Sequence, residues 1–75
     1  MSQLPLDKAL ELKRLENIAT EKRIAYQKID TELFTEDGTD KTYLLPQYTK
    51  ARTELTEAVN NYNTYKAALA KTYVF

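Results

Sequence analysis

One glycine and two prolines are the only strong helix breakers among these 75 residues, and their positions constrain the fold more than any other feature. Pro5 suits the first turn of a helix, where its missing N–H would lack a partner in any case. Gly38 follows Asp37 in a strong turn dipeptide. Pro46 again suits a first helical turn. The sequence therefore predicts helix over about 5–36, a connector over 37–45 and helix over 46–73.

Apolar spacing supports that division. In the first segment Leu12, Leu15, Ile18, Ala25, Ile29 and Leu33 recur at threes, fours and one seven. The gap near Lys22 is filled by a side chain whose methylenes can cover apolar surface. In the second segment Tyr48, Ala51, Leu55, Ala58, Tyr62, Tyr65, Leu69 and Tyr73 advance only by threes and fours, the signature of one helical face. Lys, Glu, Thr and Asn occupy the other faces. Two helices of roughly 40 Å, joined by a short connector, favour an antiparallel, coiled-coil-like hairpin crossing at about 20°. The expected fold class is all-α, a single domain. The minor alternative turns Leu33–Leu44 into a β-hairpin at Asp37-Gly38, although Glu36, Asp37, Thr39, Asp40 and Lys41 offer no alternating apolar face.

A chain of this size buries only about 60% of its unfolded surface, so a lone core is marginal. Cysteine and histidine are absent, which removes disulfides, thiolate ligands and the commonest metal ligand and general base. Good helix packing and self-association remain as sources of stability. Eleven basic and eleven acidic residues cancel, and this balance argues against nucleic acid, whose binders carry a basic excess. The only asymmetry is mild: five basic and two acidic residues from Lys41 onward. No apolar run approaches the length of a membrane span, and Met1–Asp7 lacks the pattern of a signal peptide. The expected location is the cytoplasm or the interior of a virus particle.

Six tyrosines are many for this length, and four of them lie on the second helix's stripe. Two antiparallel helices bury one seam, so a broad stripe predicts further contact with other chains. Tyrosine suits interfaces because it brings apolar area and a polar tip at low entropic cost. The segment ending in Tyr73, Val74 and Phe75 turns apolar where most chains turn polar, which predicts either tucking back or docking on a neighbour. The expected protein interface is therefore Tyr48, Leu55, Tyr62, Tyr65, Leu69, Tyr73, Val74 and Phe75.

Chemistry has little to stand on. Glu36, Asp37 and Asp40 make the connector acidic, but Lys, Thr, Tyr and Leu follow, which breaks the ligand spacing of a calcium loop. Asn60-Asn61-Tyr62-Asn63 reads as a solvated face. Lys50, Arg52, Lys66 and Lys71 are too dispersed to form a phosphate-binding patch. No serine lies beyond Ser2, no glycine-rich phosphate loop exists, and paired-carboxylate catalysis would need a cleft. No catalytic residue, metal ligand or cofactor is expected.

Asp37-Gly38-Thr39-Asp40, followed by Leu44-Leu45 and Tyr48, resembles the mid-chain loop and second-helix start of type III secretion needle subunits. Those subunits are also short helical hairpins, and they assemble into filaments. The first helix departs from that family, being longer and more charged. In size and shape alone the chain also resembles small bacteriophage head-completion proteins. Neither likeness carries over a functional residue. The expected function is a non-catalytic structural or assembly subunit, plausibly of a phage particle, whose partners are its own copies or a larger assembly. The alternatives are an adaptor or inhibitor binding one host protein, and a weak nucleic-acid-binding accessory protein.

Overall fold

Residues seven apart decide how the two helices meet. In the computed structural model, which describes residues 2–74, helix α1 spans Leu6–Leu33 and helix α2 spans Leu45–Ala70. Leu12, Ala19, Tyr26 and Leu33 form one heptad series on α1, and Leu15, Lys22 and Ile29 form a second. On α2 the two series are Tyr48, Leu55, Tyr62, Leu69 and Ala51, Ala58, Tyr65. Every one of these residues is buried or half-buried, because a seven-residue repeat holds one stripe against a neighbouring helix.

The helices run antiparallel, as their cross-pairs show. Tyr26 meets Tyr48, while Lys22, one turn earlier on α1, meets Glu54, further along α2. The interior of the seam is thin. Its buried members, among the described residues, are Ala19, Leu44, Ala51, Ala58 and Leu69, and none of them is wholly closed to solvent. Alanines at the centre let the backbones approach closely, and the larger side chains flank them half-exposed. The result is a rod with Cα extents of 58 × 15 × 14 Å.

Two details of the sequence reading are corrected along the seam and at its ends. Ala25 is exposed, and its place is taken by the half-buried Tyr26; the true repeat runs through Ala19 and Tyr26, out of step with Ala25. Helix α1 stops at Leu33 rather than near residue 36, because Lys41 folds back on its end. Its ammonium donates to the carbonyls of Glu32 and Thr35, both at 2.7 Å, and lies 3.3 Å from the Asp37 carboxylate. That cation satisfies carbonyls that have no partner within the helix and complements the negative end of its dipole.

The connector is a loop closed by turns. Gly38 has φ of 79°, the left-handed backbone that the Asp-Gly pair requires. Asp37 accepts the Thr39 N–H and Asp40 accepts the Thr42 N–H, each at 3.0 Å. A single 3-10 turn over Thr42–Leu44 then feeds α2, with Pro46 in its first turn. No strand forms over 33–44, so the β-hairpin alternative does not occur.

Extended structure appears instead at the other end. Strand β1, Ser2–Gln3, pairs in parallel with strand β2, Tyr73–Val74, placing Ser2 opposite Tyr73 and Gln3 opposite Val74. Helix α2 therefore ends three residues before Tyr73, the last residue of the expected stripe. A turn at Lys71-Thr72, with the Thr72 N–H donating to the Leu69 carbonyl at 3.0 Å, redirects the chain into that pairing. Pro5 stands just before α1, and its carbonyl accepts the Ala9 N–H at 3.0 Å.

Candidate functional site

The tyrosine stripe lies largely within the molecule. Tyr48 packs its ring 5.3 Å from that of Tyr26, and the two hydroxyls share a hydrogen bond of 2.8 Å. That bond, with partial burial, raises the Tyr26 pKa above its ordinary value. Phe34 also meets Tyr48 edge-on, at a ring separation of 6.3 Å. Leu55, Tyr62 and Tyr65 are half-buried along the seam and Leu69 is buried. The Lys66 ammonium stands 5.8 Å from the centre of the Tyr62 ring, near the outer limit for a cation–π contact. Tyr73 is half-buried in β2, Val74 is exposed, and Phe75 lies outside the described residues. Of the expected interface set, Val74 is thus the described member that faces water most fully.

The apolar side chains that do face water are mostly different ones. Leu6 is 75% exposed, Phe34 67% and Tyr43 61%, and Leu10, Ile24 and Leu45 join them. They fall into two groups at opposite ends of the rod. Phe34, Tyr43 and Leu45 surround the loop, at the tip. Leu6, Leu10 and Val74 surround the β1–β2 pair, at the tail. Ile24 sits between, eighteen residues from Leu6, which is about five whole turns on the same face of α1. Leu6, Leu10 and Ile24 are out of phase with the seam series, and that mismatch is the sequence signal by which this outer stripe could have been found. The outer face of α2 has no counterpart, being made of Thr49, Thr53, Thr56, Glu57 and Asn60.

The half of the rod that ends in the loop, residues 20–57, carries eight acidic and six basic residues, Lys28, Lys50 and Arg52 among the latter. Asp37 and Asp40 are held below the usual carboxylate range by the Thr39 and Thr42 groups that donate to them, so both are charged at neutral pH. The other half carries Lys8, Lys13, Arg14, Lys66 and Lys71 against Asp7, Glu11 and Glu16. Charge in this chain of no net charge is therefore only mildly uneven along the rod.

Among the described residues, no group of three metal-ligating side chains gathers closely enough to hold an ion. An open depression lies under the loop, lined by Leu33, Asp37, Lys41 and Leu45 among others. No described helix is long and apolar enough to cross a membrane. No family model, curated protein or solved structure matches the chain, so its function has to be argued from its own residues.

Proposed function

We propose that this chain is a non-catalytic structural or assembly subunit that acts by laying helix faces against other protein chains. The observation that carries this reading is the mismatch between a thin core and a large apolar exterior. Among the described residues only three alanines and two leucines are buried, while seven large apolar side chains stay exposed. The accessible surface is 5705 Å², against about 4,700 Å² for a compact protein of this mass. The radius of gyration is 17.0 Å, against about 11 Å for a compact domain of this length. Such a rod gains by covering its flank with another chain. A larger particle, such as that of a phage, is a natural setting for a short, cysteine-free subunit of this kind.

Sedimentation equilibrium of the purified chain over a wide concentration range, with helicity followed by circular dichroism, tests the reading. The expected result is a mass that rises with concentration. A fully helical monomer at every concentration would overturn self-assembly. It would favour the second reading, an adaptor offering the Leu6, Leu10 and Ile24 stripe to one foreign protein.

A further inference from the structure

We infer that Tyr26 and Tyr48 form an oxidative cross-linking site, at which a one-electron oxidant joins the two rings into a dityrosine staple between α1 and α2. This reaches beyond the assembly reading and does not depend on which chain covers the rod.

Geometry supplies the first argument. The two side chains come from different helices, 22 residues apart in the chain, and their hydroxyls stand 2.8 Å apart. The ring centres are 5.3 Å apart and the planes are tilted by 37°, an ordinary separation for a packed aromatic pair. The hydroxyl ends are the ones in contact, so the ring carbons beside them, where phenoxyl radicals couple, are drawn together as well. Among the described residues no other two tyrosines bring their rings together, and the other ring on Tyr48 is Phe34, which has no hydroxyl to oxidise. Holding two reacting groups in place makes their coupling effectively unimolecular.

Composition supplies the second. Thiols and thioethers are the side chains that oxidants ordinarily consume, with indoles beside them. This chain has no cysteine, tryptophan or histidine, a single methionine at position 1, and six tyrosines. Oxidising equivalents that reach it therefore settle on phenols. Tyr26 and Tyr48 are both half-buried, so solvent reaches them while the seam holds them against each other.

The step balances within the pair and its oxidant. Each phenol gives one electron to the oxidant and its hydroxyl proton to water. The two phenoxyl radicals form one carbon–carbon bond between positions beside their oxygens. The hydrogens on those carbons then move to the oxygens, which restores both rings and both hydroxyls. The chain loses two hydrogen atoms in all, as two protons and the two electrons taken by two equivalents of oxidant. The new bond closes a loop around the whole connector, as a disulfide would in a chain with cysteine. A link of that kind stabilises mainly by restricting the unfolded state.

The test irradiates the chain with a ruthenium tris(bipyridyl) complex and persulfate, a source of one-electron oxidation, over a wide range of protein concentration. The expected product runs as a single chain on denaturing gels, carries dityrosine fluorescence and is lighter by two hydrogens. Trypsin should release Ile24–Lys28 joined to Thr42–Lys50, in a yield per chain that does not change with concentration. The urea midpoint of the product should move upward. Tyr43→Phe should leave the joined peptide in place, because Tyr43 shares the second peptide but not the contact. Tyr26→Phe and Tyr48→Phe should each remove it, with helicity checked by circular dichroism. Unfolding the unaltered chain in urea before irradiation should lower its yield several-fold, a comparison that needs no substitution. Equal yields from folded and unfolded chain would overturn the role of the contact. Dityrosine found only between chains, rising with concentration, would overturn the staple.

Discussion

Two side chains, Tyr26 and Lys41, show how single residues set the stability of this rod. The Tyr26–Tyr48 hydroxyl bond ties the seam on its loop side, and it holds the Tyr26 pKa above that of a free tyrosine. A raised folded-state pKa means that the contribution is complete below the ordinary value of about 10 and is lost as pH rises through the folded-state value. Tyr26→Phe should therefore lower the urea midpoint at neutral pH and flatten the decline in stability on the alkaline side, read from denaturation curves across that range. Lys41 does a different job, since its side chain is only 9% exposed and two carbonyls at the end of α1 accept from it. Lys41→Met keeps the stem and removes the donors. Hydrogen bonds to charged groups contribute about 1.5–3 kcal/mol, and a loss of that size is expected in urea denaturation. Faster amide exchange should be confined to the last turn of α1 and the loop.

At the scale of elements, the seam depends on small residues at its centre. Ala58 is buried where α2 approaches α1, so Ala58→Leu must push the helices apart or force strained rotamers. Overpacking of this kind costs about 1–3 kcal/mol, measurable as a lower thermal midpoint, while the same change at exposed Ala67 should be nearly silent. The two helices were legible in the sequence because their limits are written in Pro5, Gly38 and Pro46, and because α2 keeps strict threes and fours. The phase of α1 was harder to read. Ala19 and Tyr26 belong to the seam, but alanine and tyrosine score weakly as core, and Ala25 competes with Tyr26 for the same turn. The helix ends were less legible still. Lys41 stops α1 through a contact eight residues beyond the helix, and β1 draws Tyr73 off α2 by pairing across the whole length of the chain. Local propensity carries no trace of either. The tyrosines of α2 lie half-buried along the seam, where alanines on both helices leave room beside them.

The whole molecule is governed by its elongation. The β1–β2 pair has a further effect on connectivity. Because Ser2–Gln3 and Tyr73–Val74 lie side by side, anything joined to either end of the chain emerges at the tail, and the tip stands free at the far end. The hairpin thus has the wiring of an insertable module. Spliced into a surface loop of an unrelated host through two short linkers, it would stand out from that host like an antenna, carrying its acidic loop several nanometres away without disturbing the host's own chain path.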